Sequence, residues 1–170
     1  MKTDIEIVTG FLGAGKTTFI NTLIGNTLVV DERIVIILCE SGESKIKERY
    51  KNSSQIDIIT YDFEKPLTAE KLKKIIEIHR PHRIILEHNG STNLRELINI
   101  IDNYLLKKIC KITSIFHIAD AVTFKLYIEN MGGILLESIY NSDLIILNNV
   151  GKISKNEAVE IKTILEKLNI

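Results

Sequence analysis

The sequence predicts an α/β fold of three layers, in which a mostly parallel central sheet is flanked by helices. Six short apolar runs rich in Ile, Val and Leu recur along the 170 residues. They are apolar on both faces, as strands buried inside a parallel sheet are. Segments with a helical spacing of apolar residues alternate with these runs. In such a fold, ligands bind at the carboxyl ends of the strands.

The predicted strands and helices alternate along much of the chain. The strands are expected at Ile5 to Val8, Ile34 to Leu38, Ile56 to Ile59, Ile84 to Leu86, Ile112 to Ile118 and Leu144 to Leu147. The helices are expected at Thr17 to Ile24, Ala69 to His79, Leu94 to Leu106, and after Ser154, which forms a capping box with Glu157. The charged segment from Gly42 to Gln55 is expected to be a mobile surface loop or a short helix.

Length and composition favour one domain over residues 1–170, because a chain of this size with 45% hydrophobic residues buries one core. The 22 basic and 22 acidic side chains cancel, so neither nucleic acid nor a membrane surface is an expected partner. The first strand leaves no room for a signal peptide, and no apolar run has membrane-spanning length. We therefore expect a cytoplasmic protein, with Cys39 and Cys110 as reduced thiols.

Residues 10–17 match the pattern G-x-x-x-x-G-K-T between a predicted strand and a predicted helix. Glycines there allow successive backbone N–H groups to approach phosphates, and the helix N-terminus adds its dipole. The Lys16 ammonium would contact the oxygens of the β and γ phosphates and act as a catalytic group. The Thr17 hydroxyl would be a ligand of Mg²⁺. The alternative is a glycine-rich turn without a ligand. The expected nucleotide-binding residues are Gly10, Gly13, Ala14, Gly15, Lys16, Thr17 and Thr18.

Two acids follow predicted strands at the same sheet edge. Glu87 ends the fourth strand, where a P-loop protein holds Mg²⁺ and the catalytic carboxylate, and Gly90 could sense the γ-phosphate with its N–H. Glu40 ends the second strand and is a further candidate metal ligand in a switch-like loop. The alternative for both acids is a solvated carboxylate beside an ordinary turn.

These motifs occur in the order seen in the CobW/HypB/UreG family of P-loop GTPases, and the chain resembles the nucleotide domain of its CobW branch. The strings that carry the resemblance are Val8 to Phe19, Glu40 to Glu43, Glu87 to Gly90, Asp120-Ala121 and Leu147-Asn148. The resemblance implies GTP with Mg²⁺, slow hydrolysis, delivery of a metal or cofactor to a client enzyme, and a possible homodimer. It also implies that Asn148 and Asn149 contact the base.

The chain departs from the family pattern at two places. Where the family reads N-K-x-D, this sequence reads Asn148-Asn149-Val150-Gly151, which removes the carboxylate that separates guanine from adenine. GTP is the expected nucleotide and ATP remains open. No cysteine lies between Glu43 and Glu87, so the family's Cys-x-Cys-Cys metal motif is absent from the sequence. The separate C-terminal domain of most CobW proteins is also expected to be missing.

Two other functions stay open. A regulatory module that binds nucleotide without hydrolysis fits the altered base motif. A small-molecule P-loop kinase fits the size of the chain, but such kinases use lid arginines, and no arginine follows Arg95. The four histidines are interpreted as side chains with local partners more readily than as metal ligands. They are His79, His82, His88 and His117.

Overall fold

The structure is a computed structural model that describes residues 2–38, 45–61 and 67–168. The strands of its sheet are β1 Thr3–Thr9, β2 Ile34–Leu38, β3 Ile56–Thr60, β4 Arg83–Glu87, β5 Cys110–Asp120 and β6 Leu144–Asn148. Their order across the sheet is β3-β2-β4-β1-β5-β6, and every pairing among the described strands is parallel. The predicted parallel α/β fold and all six predicted strands are confirmed.

The helices in the described part of the chain are α1 Lys16–Thr27, α2 Glu48–Lys51, α3 Ala69–His79, α4 Leu94–Ile101, α5 Phe124–Asn130, α6 Gly132–Tyr140 and α7 Lys155–Leu168. A short 3-10 turn, Val150–Lys152, follows β6. The predicted capping box opens α7, since the Glu157 N–H donates to Ser154 Oγ over 3.2 Å and the Ser154 N–H donates to the Glu157 carboxylate over 3.0 Å. Helix α2 is the short helix expected within the polar segment, whose residues 42–44 lie outside the described residues.

Two helix predictions differ from the structure. Helix α4 ends at Ile101 instead of Leu106, because the Asn103 side chain accepts the Leu105 N–H at 3.0 Å and forms a local turn that competes with the helix. Leu106 is nevertheless fully buried. Helices α5 and α6 were not predicted from the sequence. Each is short, and α6 begins with two glycines, which weaken a helical pattern.

Apolar helix faces cover both sides of the sheet. On one side, β1, β2 and β4 pack against α3 and α4 through a cluster that includes Ile7, Leu72 and Leu97. On the other side, α1 packs against the same strands through residues such as Ile20 and Ile36. Helices α5, α6 and α7 gather in a third cluster near β5 and β6. This layering leaves the carboxyl ends of the strands to form the site.

Candidate functional site

The glycine loop joins β1, the strand between β4 and β5, to the start of α1. Gly10, Gly13 and Gly15 all have positive φ, at 138°, 77° and 101°. At Gly10 the requirement is also spatial, because a Cβ there would lie 2.2 Å from the carbonyl oxygen of Ile118 on β5. The loop therefore lies directly against the sheet.

Lys16 begins α1 and is buried. Its ammonium donates hydrogen bonds to the carbonyl oxygens of Gly10 at 2.8 Å and Phe11 at 3.2 Å. The positive charge is thus held inside the concave side of the loop, where a phosphate would meet it. Ala14 is buried in the same loop, whereas Thr18 is exposed at the first turn of the helix.

Thr17 and Glu87 are in contact, although 70 residues separate them in the sequence. The Thr17 hydroxyl lies 3.2 Å from both carboxylate oxygens of Glu87, and both side chains are buried. The contact arises because β1 pairs with β4, with Val8 opposite Glu87. Oxygen donors of this kind are the ligands that Mg²⁺ prefers. Glu40, the third predicted metal ligand, lies outside the described residues.

Gly90 lies against the glycine loop. Its N–H donates to the carbonyl oxygen of Gly10 at 3.1 Å, and the N–H of His88 donates to Val8 at 2.8 Å. A Cβ on Gly90 would lie 2.3 Å from the backbone of Gly10, so no larger residue fits there without a shift. The turn after β4 is therefore fixed to the phosphate loop by backbone contacts.

His88 and His117 are buried beneath the loop, in one chain of side-chain contacts. His88 Nδ1 lies 3.0 Å from the Thr9 hydroxyl, and the Ser138 hydroxyl lies 3.4 Å from Thr9 and 2.9 Å from His117 Nδ1. Burial, with a smaller contribution from the nearby Lys16 charge, lowers the pKa of each histidine to about 4. Both imidazoles are thus neutral at physiological pH.

The histidines have partners within the chain, as the sequence favoured. The second nitrogen of His88 lies 3.0 Å from the Thr92 hydroxyl. His79 pairs with Asp57 at 2.8 Å, and His82 accepts the N–H of Arg33 at 2.9 Å. Among the described residues, no group of three or more His, Cys, Asp and Glu side chains is placed to hold a metal ion. Cys110 is free and buried, and burial raises its pKa to about 11.

The two asparagines at the carboxyl end of β6, Asn148 within the strand and Asn149 just after it, lie on the other side of the loop from Glu87. Asn148 donates from Nδ2 to the carbonyl oxygen of Ala14 at 2.9 Å, so it contacts the phosphate loop directly. Asn149 has a left-handed backbone, with φ of 58°, and donates from Nδ2 to Asp120 at 2.9 Å. Asp120 had no predicted role, although it is an acid at the carboxyl end of a strand, the same signal that predicted Glu87.

Residues 4–170 match the model of the CobW/HypB/UreG nucleotide-binding domain. The chain belongs to the CobW/HypB/UreG family. The resemblance predicted from the motifs is therefore confirmed over nearly the whole sequence. No curated protein matches the chain in sequence.

Solved structures of other proteins share the fold. The Zn(II)-bound YjiA GTPase from E. coli superposes with a TM-score of 0.67 at 18% identity, over 95% of this chain and 54% of that one. The hydrogenase maturation factor HypB from Archaeoglobus fulgidus gives 0.63 at 17% identity, over 98% and 77%. The chain thus spans about half the length of YjiA. None of the described helices has the length and apolar character needed to cross a membrane.

Proposed function

We propose that the chain binds a nucleoside triphosphate with Mg²⁺, hydrolyses it slowly, and acts as a switch that assists metal or cofactor delivery to a client enzyme. GTP is the nucleotide that the family implies. The observation that carries the proposal is the contact of Thr17 with Glu87 beside the loop that holds Lys16. This contact places two oxygen donors that could bind a metal beside the glycine loop that would bind phosphate, at one edge of the sheet.

The residues present fit a magnesium ion, because the Thr17 hydroxyl and the Glu87 carboxylate are adjacent oxygen donors. When bound, Mg²⁺ neutralises charge on the β and γ phosphates. Lys16 would exchange its carbonyl partners for phosphate oxygens, since its ammonium already lies inside the loop. The loop amides would bind the remaining oxygens and exclude water from them.

A switch needs an element that responds to the terminal phosphate. The turn containing Gly90 contacts Gly10 and leads to α4, whose first N–H groups are capped by Asn93 and by the Glu137 carboxylate of α6. A change at this turn would therefore reach α4 and α6, which a client protein or a second copy of the chain could contact. The names of the two neighbours, one a Zn(II)-bound GTPase and one a hydrogenase maturation factor, support a metal-related client.

The first test is the Lys16→Ala variant. Loss of a charge-assisted interaction with phosphate is expected to weaken binding of GTP with Mg²⁺ by about 10- to 100-fold, measured by titration calorimetry. Lys73→Ala is the matched control, because Lys73 forms an exposed pair with Glu77 on α3. Equal GTP affinity in wild type and the Lys16 variant would contradict the proposal.

A regulatory module without turnover is the second candidate, and it is favoured by the absence of a carboxylate at Gly151 in the altered base motif. Single-turnover hydrolysis of labelled GTP, with and without Mg²⁺, separates the two functions. A time course that stays flat in both conditions while binding persists would support the module. Magnesium-dependent release of phosphate would support the switch.

A further inference from the structure

The order of the strands gives a bound triphosphate a direction, provided that the proposed nucleotide function holds. The metal pair, Thr17 and Glu87, and the turn at Gly90 lie on the β4 side of β1. The terminal phosphates and the metal belong on that side. The nucleoside must then leave the loop toward the other neighbours, β5 and β6. Asp120, Asn148 and Asn149 lie at the carboxyl ends of those two strands.

The orientation of both asparagine side chains is dictated by their partners. A carboxylate and a backbone carbonyl only accept hydrogen bonds, so Asn149 must turn its amide nitrogen to Asp120, and Asn148 must turn its nitrogen to Ala14. Each amide nitrogen thereby donates one of its two N–H groups to the chain. Within the described ranges, the side-chain oxygen of Asn149 accepts no hydrogen bond from the chain. Asn149 therefore offers an acceptor beside the region where the base would lie.

Asp120 fixes the orientation of the Asn149 side chain. Its carboxylate accepts the Asn149 amide at 2.9 Å, the N–H of Val122 at 3.3 Å and the Thr123 hydroxyl at 3.4 Å. These contacts direct both carboxylate oxygens toward the chain. Position 151 has no side chain to supply a second carboxylate. The acceptor available for a base in this group is thus a neutral amide oxygen.

We propose that Asn149, held by Asp120, reads the base through this amide oxygen, and that the site therefore takes guanine and adenine triphosphates alike. Guanine presents an N–H and an amine on one edge, and adenine presents an amine, so a single acceptor can bond to either. A carboxylate with two oxygens would favour guanine, because adenine cannot satisfy both. Asn149 is thus a specificity residue and Asp120 is its positioning residue.

The first experiment measures dissociation constants of GTP, ATP and inorganic tripolyphosphate, each with Mg²⁺, for wild type and Gly151→Asp. Wild type is expected to bind GTP and ATP within about tenfold of each other, and both more tightly than tripolyphosphate. A Cβ at Gly151 would meet no atom within 4 Å, so an aspartate fits there. The variant is expected to prefer GTP over ATP by a further tenfold or so, as hydrogen bonds to a charged group allow.

Asn149→Gly removes the reader and keeps the left-handed backbone, which glycine adopts freely. Its GTP and ATP affinities should fall by about threefold to tenfold toward that of tripolyphosphate, whose own affinity stays unchanged. Asp120→Asn should weaken both nucleotides in the same way, because Asn149 can then reverse its amide. Asp143→Asn is the matched control, since Asp143 accepts the N–H of Ile115 before β6 begins, at the end opposite the site.

The outcomes separate the inference from the function on which it rests. A wild type that binds GTP 100-fold more tightly than ATP overturns the inference and leaves the nucleotide function standing. An Asn149→Gly variant with unchanged GTP and ATP affinities also overturns it, as does a Gly151→Asp variant without increased GTP preference. Binding of none of the three probes by folded wild type overturns the proposed function and the inference together.

Discussion

His88 and His117 are two neutral imidazoles that lie beneath the glycine loop of the candidate site. Protonation of either would place a positive charge in a buried environment, where the rings lie at hydrogen-bond distance from the hydroxyls of Thr9, Thr92 and Ser138. Burial is the main reason that their pKa values are lowered. Because protonation of these imidazoles is unfavourable in the folded state, the free energy of unfolding depends on pH.

The free energy of unfolding is expected to fall as pH decreases from 7.5 to 5. The histidine pKa is about 4 in the folded state against 6.5 in the unfolded chain, so the unfolded chain binds more protons in this interval. Each histidine should contribute a loss of about 2 kcal/mol. Urea unfolding at several pH values measures it.

His117→Asn should remove about half of this pH dependence, since one of the two buried imidazoles remains. His82→Asn should leave it intact, because His82 is exposed. The same slope with pH in wild type and in the His117 variant would contradict the explanation. The wild-type slope itself is the reference for both variants.

Among the elements, the turn after β4 makes a close backbone contact with the phosphate loop. Gly90 lies so near Gly10 that the two segments have no room for an intervening side chain. The contact joins the end of one strand to the loop after its neighbour, and the geometry of both is therefore shared. A change in this turn should affect binding as well as stability.

Gly90→Ala is expected to destabilise the fold by about 1–3 kcal/mol, the usual cost of overpacking a tight contact. It should also weaken GTP binding by the remaining folded protein, because the phosphate loop must move. Gly133→Ala is the matched control: it lies in α6, a Cβ there meets nothing within 4 Å, and it should be neutral or stabilising by up to about 1 kcal/mol. Thermal unfolding and calorimetry measure both effects. Identical behaviour of the two variants would rule out the close contact.

Elements with a strong local signal could be predicted from the sequence. The strands of the sheet centre are apolar on both faces, and Lys16 and Thr17 belong to a continuous motif whose flanks are visible in the sequence. Glu87 was found because an acid follows an apolar run. The end of α4 was missed since one side chain, Asn103, replaces the helical hydrogen bonds.

The contacts between distant segments could not be predicted. Asp120 meets Asn149 only because β5 and β6 pair with Asp120 opposite Asn148. The series of side-chain contacts from His88 to His117 likewise depends on the positions of β1 and α6. Helix α6 was itself not predicted from the sequence. Such contacts are set by the sheet order, and the motifs do not encode that order.

Across the whole molecule, the two ends of the sheet differ in character. The carboxyl ends hold the candidate site, whereas the amino ends hold a buried ion cluster. There Arg83 contacts Glu32 at 3.0 Å and Glu6 at 3.4 Å, and burial raises the pKa of Glu6 despite the opposing effect of Arg83. Stability and nucleotide binding should therefore be separable by mutation.

Arg83→Ala is expected to cost about 3 kcal/mol of unfolding free energy, because two partly buried carboxylates lose their partner. The GTP affinity of the folded protein should not change. Lys111→Ala is the control, since the Lys111–Asp4 pair is exposed and should contribute less than about 1 kcal/mol. Chemical denaturation and calorimetry provide the two measurements. A large drop in GTP affinity without loss of stability would show that the two ends are coupled.

The central place of β1 has a consequence for synthesis of the protein. Ile5 pairs with Ile84 on one side and with Ile112 on the other. The first strand can therefore pair only after β4 and β5 have been synthesised. The phosphate loop leaves the ribosome before Asn148, which contacts Ala14 in that loop and follows it by 134 residues. Pairing over such sequence distances is slow to form. A nascent chain therefore has the motif long before it has the site, and a ligand of the whole site can stabilise only a polypeptide in which β6 has already been made.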